Sequence, residues 1–440
     1  RGFRQVKVNA RYFEDLINKI TNQPDLFVTK VSSGINYWKN NTLEENMKFN
    51  AIVGNPPYQA IKATEKAGAN SSFASAIYPL FIDIAIKLSP LYTSMITPSR
   101  WMTRQGQGIS DEWVDKMLSG NHFITIHDYP DATDCFAGVE IKGGVNYFLY
   151  SNSHVGVCNY IQHKKEGVLS KVGPIDPLKA GIVIRDSKAI SIIQKIVKVD
   201  GDYYKSSSFS SMVSPKHYFD RDELLNSNWK GYSRIKTNEY YIKYYLNKTL
   251  ETCGYGWVKE SQVPKGKQTI QLHKIYIPMA GGTGNDSQIL GVPFYGEPES
   301  VCSYTYLVIG YDPERHNFTH DECGNILSYI HTRFFRFMVS IKKKTQNTTR
   351  DLFQFVPLQD WSKPWTDTEL YKKYNLSKEE IDYIESMIKP MGEDALFNTD
   401  ELINPEFANF NLLEHGVSIG DKIIYTPTGI ELTVAEDNKV

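Results

Sequence analysis

A chain of 440 residues with a formal charge of −1 and 22% charged residues is long enough for two or three domains with sizeable cores. It is no polycation, so any nucleic-acid surface has to be local. No apolar stretch reaches membrane-spanning length, no signal peptide opens the chain, and the five scattered cysteines form no CxxC pair; the expectation is a reducing cytoplasm, no membrane partner and no zinc site.

In chain order, residues 10–20 have helical spacing and Phe27-Val28 suits a short strand. Phe49 to Val53 is short, apolar and β-prone, the pattern of a buried strand. It stops at Gly54, and Pro56-Pro57 then forbids both ladder and helix. Asn55 and Tyr58 are thereby placed on a stiff loop at the carboxyl end of a strand, the edge where open α/β sheets bind ligands. An aromatic amine is a poor nucleophile because its lone pair is delocalised into the ring. The Asn55 side-chain carbonyl and the Pro56 backbone carbonyl can accept both amine hydrogens and localise that pair, with little reorganisation. Tyr58 offers a flat face to an unstacked base. The same residues also suit an ordinary rigid loop or a polyproline ligand.

Ile61 to Ser72 reads as a surface loop or a lid. A helix follows at Ser75 to Leu88, with Ile77, Phe81, Ile84, Ala85 and Leu88 on one face, then a buried strand at Tyr92 to Thr97. Asp111 to Leu118 is helical and closed by Gly120, and Phe123 to His127 is a strand. Val139 to Ile141 and Val145 to Tyr150 suit the arms of an antiparallel pair around Gly143-Gly144. This alternation predicts an α/β sheet with an antiparallel edge hairpin over residues 1–155. Residues 156–200 read as a linker with a helix at Asp186 to Val199.

An α+β domain is expected over 201–390. Lys274 to Pro278 and Tyr304 to Gly310 are strand-like, and Asn325 to Ser340 reads as one long amphipathic helix. Helices follow at Thr366 to Tyr374 and at Ser377 to Lys389, the latter with Ser377 and Glu380 as a capping box. Residues 391–440 end in strands at Lys422 to Tyr425 and Ile430 to Val434. Arg333, Arg336, Lys342, Lys343, Lys344 and Arg350 form a positive run without an acid, interleaved from Thr345 to Thr349 with hydrogen-bonding side chains. Such a run suits phosphates and base edges, and equally a solvated helix end.

The chain resembles adenine-N6 DNA methyltransferases, more narrowly the large methylase polypeptides of type II restriction-modification systems. The resemblance rests on Asn55-Pro56-Pro57-Tyr58, then Tyr78-Pro79-Leu80-Phe81, Thr97-Pro98-Ser99-Arg100-Trp101 and Cys135-Phe136-Ala137-Gly138-Val139. Gly143-Gly144-Val145-Asn146-Tyr147-Phe148 and Phe355-Val356-Pro357-Leu358-Gln359-Asp360-Trp361 continue it in order. It implies a Rossmann-like methyltransferase sheet, a target-recognition domain over 201–390, double-stranded DNA as partner and S-adenosylmethionine as methyl donor. Asn55 and Pro56 would hold the amine, Tyr58 would stack on a flipped adenine, and Phe136 would cover the other face. The family's cofactor loop lies upstream of the catalytic loop. The 54 residues before Asn55 hold no such glycine-rich loop, so the cofactor half is expected upstream of Arg1. Ala280-Gly281-Gly282-Thr283-Gly284-Asn285 reads as a turn, since no amphipathic helix follows it.

Pro130-Asp131 with Glu140-Ile141-Lys142 spells a carboxylate-lysine nuclease pattern, although it falls on the expected edge hairpin. Magnesium enters only with a nuclease in the full polypeptide. The sequence argues against a cytosine-C5 enzyme, since no Pro-Cys supplies its nucleophile. Other planar amines, in RNA or a protein glutamine, and a non-catalytic DNA-binding fragment remain as alternatives. Nothing in the sequence speaks to oligomeric state.

Overall fold

The computed structural model describes residues 49–61, 74–165, 167–226, 229–246, 254–281, 288–343 and 345–391, the strands at 422–425 and 430–433, and positions 20, 23 and 25. The expected strand at 27–28, the lid segment 62–72, Lys344 and most of both the 10–20 helix and the 280–285 turn lie outside these residues. Residues 1–390 form one compact unit and 391–440 another.

Six strands build the main sheet: β1 (Ala51–Gly54), β4 (Tyr92–Pro98), β5 (Phe123–Tyr129), β6 (Val145–Tyr150), β7 (Cys158–Lys164) and β8 (Gly167–Gly173). Between β1 and β4 in sequence lie two short strands, β2 (Gln59–Ile61) and β3 (Ala74–Ala76), which pair only with each other. The sheet order is β1-β4-β6-β5-β7-β8. β1 runs parallel to β4 and β5 parallel to β7, while β6 is antiparallel to both β4 and β5 and lies between them. β8 closes the far edge antiparallel to β7. The α/β sheet with an antiparallel edge hairpin is therefore present, but residues 158–173 form the hairpin, in what was expected to be linker. The expected arm at 139–141 is irregular, with Val139 and Glu140 exposed and Ile141 half-buried, and β6 is a central strand. β8 escaped the sequence reading because it is exposed along most of its length and has no apolar period.

Gly143 and Gly144 make the central insertion possible. Both sit at positive φ, 89° and 81°, and a Cβ on Gly144 would lie 2.1 Å from the Tyr129 carbonyl oxygen. Gly144→Ala is expected to destabilise the chain by about 2 kcal/mol or more, readable as a lowered urea midpoint.

Helix α1 (Tyr78–Lys87) starts three residues later than its apolar spacing suggested, because Ala74–Ala76 pairs as a strand. It buries Tyr78, Ile82, Ile84 and Ala85 against the sheet, while Phe81 and Leu88 are only partly buried. Helix α2 (Asp111–Ser119) starts where the Ser110 side chain accepts from the Trp113 amide. Gly120 does not supply the left-handed cap expected of it: its φ is −82°, and Asn121 at 50° makes the reversal. Val53, expected to be buried, is 77% exposed, because β1 has a partner on one side only among the described residues.

Helix α3 (Ser187–Asp200), capped by Asp186, leads into the second half. There β9 (Ile242–Tyr245) lies between β10 (Tyr255–Val258) and β13 (Ser300–Cys302), and β11 (Lys274–Pro278) lies between β12 (Phe294–Gly296) and β14 (Tyr306–Ile309). One long helix was expected at 325–340; two are found, α4 (His320–His331) and α5 (Arg333–Ser340). Thr332 separates them with an extended backbone (ψ 150°), and its hydroxyl accepts from the Phe335 amide, capping α5. Helices α6 (Asp367–Lys373) and α7 (Lys378–Met387) begin at capping boxes, Thr366 with Glu369 and Ser377 with Glu380. In the second unit β15 (Lys422–Tyr425) pairs antiparallel with β16 (Ile430–Thr433), where strands were expected. No described helix is long and apolar enough to cross a membrane.

Lys274 sits fully buried in β11, its ammonium donating to the carbonyls of Ile270, Leu272 and Glu297. Burial lowers its pKa from 10.5 to about 7. Between those values the unfolded chain binds the extra proton, so stability should rise with pH from about 7 to 10, by up to about 1.4 kcal/mol per unit. Urea midpoints measured over that range should rise in the wild type and much less in Lys274→Met.

Candidate active site

The Asn55-Pro56-Pro57-Tyr58 loop leaves the carboxyl end of β1 and runs into β2. Pro56 is buried, Asn55 and Pro57 are exposed, and Tyr58 is half-buried. The proline pair has no amide to give to a ladder, so β1 ends here and the next strand starts on a different axis. The Ile77 amide donates to the Tyr58 carbonyl at 3.1 Å, tying the loop to the start of α1. The Tyr58 ring stands edge-on to Tyr78 at 6.5 Å. Burial raises the Tyr58 pKa and the nearby Cys135 thiol adds to it, so the phenol stays neutral and serves as a surface rather than a base. The Tyr58 hydroxyl is buried without a hydrogen-bond partner among the described residues, a cost tolerated more often at functional sites than elsewhere.

Cys135 reaches Tyr58 from the loop after β5. There Asp131 accepts from the Thr133 amide and hydroxyl, fixing a short 3-10 turn at Ala132–Asp134, and the Phe136 amide donates to Ala132 at 2.8 Å. Phe136 is half-buried on this loop, next in sequence to the residue beside Tyr58. Arg100, just past β4, donates through Nε to the Lys142 carbonyl. The ends of β1, β4 and β5 thus form one rim, at the carboxyl edge that suits ligand binding.

Beneath the rim lies a network that sequence reasoning missed. Asp128 of β5 is fully buried and accepts from Arg185 Nε and Nη2, both at 2.6 Å, from Tyr160 at 2.6 Å and from Ser99 at 2.8 Å. Burial pushes the Asp128 carboxyl up, but Arg185 and the hydroxyls outweigh it and hold it below the usual range. Arg185 Nη1 also donates to the Gly143 carbonyl, bracing the turn into β6. The available signal was a charge inside two apolar runs, Phe123-Ile124-Thr125-Ile126-His127-Asp128 and Ile182-Val183-Ile184-Arg185.

Most of the cations expected to meet DNA are used internally. Arg336 is fully buried, donating to the Thr332 and His331 carbonyls, and burial lowers its pKa to about 10. Lys343 is fully buried on the Gly281 and Gln346 carbonyls and the Thr348 hydroxyl. Lys342 is 3% exposed, bonded to Gln354 and paired with Asp351. Arg333 pairs with Glu385 at 3.1 Å. Of the run, Arg350 is the exposed member among the described residues. Every residue of α5 after Arg333 is buried, so Arg336 lies inside the fold although it is on the helix side opposite the apolar residues. Nor is the nuclease pattern assembled: Asp131 caps its turn and pairs with Lys165, and no metal-holding group of three acidic, histidine or cysteine residues occurs among the described residues.

Similarity to known proteins is concentrated in the first third of the chain. Residues 1–136 match the Eco57I restriction-modification methylase family. An uncharacterized adenine-specific methylase of Mycoplasma pneumoniae (strain ATCC 29342 / M129 / Subtype 1) is 38% identical over 121 residues, 28% of this chain and 27% of the relative. The match thus spans about a quarter of the length of that relative. Among solved structures, the type IIL restriction-modification enzyme MmeI in complex with DNA aligns over 81% of this chain and 57% of its own (TM-score 0.39, 10% identity). The type IIG restriction endonuclease BpuSI aligns over 77% and 48% (TM-score 0.29, 13% identity). The matched region contains the Asn55–Tyr58 loop, Arg100, Cys135 and Phe136.

Methylases of the matched family generally use S-adenosylmethionine. The described residues fit the amine side of such a reaction better than a cofactor cradle: Gly106-Gln107-Gly108, the glycine-bearing segment between β4 and α2, is packed against Ser75 and Ala76, with the Gln107 carbonyl accepting from the Ala76 amide, and Asp128, the buried carboxylate near the rim, is already taken by Arg185.

Proposed function

We propose that the chain is the catalytic and recognition part of a restriction-modification methylase that methylates the N6 amine of adenine in double-stranded DNA. The observation that carries this reading is the Asn55–Tyr58 loop at the carboxyl end of β1, inside a matched methylase region. Asn55 Oδ1 and the Pro56 carbonyl accept the two amine hydrogens, which turns the nitrogen lone pair toward the methyl group. Tyr58 stacks on one face of the extruded base, and Phe136 covers the other. As nitrogen gains the methyl it becomes positive, and the two oxygens stabilise that charge until one proton leaves to solvent. S-adenosylmethionine supplies the methyl group. No covalent enzyme intermediate is needed.

Incubation with tritiated S-adenosylmethionine and mixtures of duplex DNA, RNA and protein tests this reading. Label should enter DNA as N6-methyladenine and disappear with Asn55→Ala. Label confined to RNA or protein would sink the DNA assignment, and DNA binding with no label anywhere would identify a specificity fragment.

A further inference from the structure

We propose that a cleft of about 510 Å³ lined by Ser210, Lys216, Thr349, Arg350, Asp351 and Gln354 holds a phosphate of the DNA backbone and sets it in register with the Asn55–Tyr58 loop. The inference rests on the DNA reading above and adds a contact point to it. Arg350 is exposed, and its Nε donates to the Ser210 carbonyl at 3.0 Å. The Tyr311 ring lies 5.7 Å from its guanidinium carbon, so the group is held on two sides. Lys216 is exposed on the same cleft and has no hydrogen-bond or ion-pair partner among the described residues. The cleft's acid is already engaged: Asp351 accepts from the Thr349 hydroxyl and pairs with Lys342 at 3.4 Å. Two available cations against one neutralised carboxylate leave a site for an anion. A neighbouring cleft of about 490 Å³ sets Asp220 and Asp222 against Arg221 and Lys265, two carboxylates to two cations, and so lacks the excess of positive charge that the Lys216–Arg350 cleft has. Asp220 is buried there with one carboxylate oxygen unpartnered.

The register comes from a connected path. Lys342, which bonds Gln354 and Asp351, accepts on its carbonyl from Gln105 Nε2 at 2.5 Å. Two residues further on, the Gln107 carbonyl accepts from the Ala76 amide at 3.0 Å, and the adjacent Ile77 amide holds the Tyr58 carbonyl at 3.1 Å. A phosphate seated beside Arg350 is thereby fixed relative to the loop that would receive the base.

Fluorescence anisotropy of a labelled mixed-sequence duplex, measured against salt, tests the contact. The Lys216→Ala/Arg350→Ala double variant should bind about tenfold more weakly, with a salt slope reduced by about one. Lys216→Glu, on an exposed side chain that leaves folding untouched, should weaken binding further. An unchanged slope in both overturns the phosphate site. Hydrogen exchange tests the register: duplex DNA should protect the Ala76 and Ile77 amides in the wild type and clearly less in Gln105→Ala, and equal protection overturns it. If the wild type binds no duplex at all, the DNA reading itself falls, an outcome distinct from either of these.

Discussion

The Asn55→Ala variant is expected to fold normally and bind DNA, yet transfer methyl groups about 10²–10³-fold more slowly, the loss typical of removing one preorganised electrostatic contact. Asn55 is exposed at the end of β1, so removing its amide empties no core. What disappears is the acceptor that localises the amine lone pair, an interaction that strengthens as positive charge develops on nitrogen. The loss should therefore fall on kcat, with KM for DNA little changed. Asn55→Asp keeps an acceptor and should retain more activity than Asn55→Ala. A rate for Asn55→Ala within threefold of wild type would remove this loop from the chemistry.

The second large effect is on stability. Asp128→Ala or Arg185→Ala should each cost about 3–5 kcal/mol, because each strands the other charge in a buried site. Asp128 is fully buried and Arg185 is 7% exposed, so solvent screens the pair little. The double variant Asp128→Leu/Arg185→Met should recover much of that loss, since neither charge is left alone. pH gives an independent handle. Asp128 titrates below its unfolded value, so its contribution is present above about pH 4 and lost as pH falls through the native value. Acid unfolding followed by circular dichroism should come at higher pH in the wild type than in that double variant. Single variants as stable as wild type would mean that the pair is not the brace described.

Local patterns carried far in the sequence where one physical rule acted alone. The Ser377–Glu380 box marked its helix, Lys274–Pro278 was legible as a strand to the residue, and Asn55-Pro56-Pro57-Tyr58 announced a strand stop through proline chemistry. Reading failed where the local pattern was ambiguous, and again where partners distant in sequence decide. The β7–β8 hairpin has an exposed outer strand with no apolar period, and Thr332 breaks what seemed one helix by turning its hydroxyl into a cap. Charge was the least legible property. A basic run looks like a surface in one dimension, but Arg336, Lys342 and Lys343 find carbonyls and side chains supplied from elsewhere in the fold. Of the candidate site, the tetrapeptide was visible from its own residues. The approach of Cys135 to Tyr58 and the Asp128–Arg185 brace depend on how separate strands meet.

The place of β6 between β4 and β5 also constrains how the chain is made. On the ribosome β4 emerges before β5, yet the two never touch in the sheet; the strand that joins them is the last of the three to be synthesised. Until Val145–Tyr150 leaves the exit tunnel, the β1–β4 ladder has no bond to β5 and its apolar edge must wait for a partner. A nascent chain stalled before Val145 should therefore be protease-sensitive throughout the methylase region, and one stalled well past Gly173 should acquire resistance across β1 to β8 together.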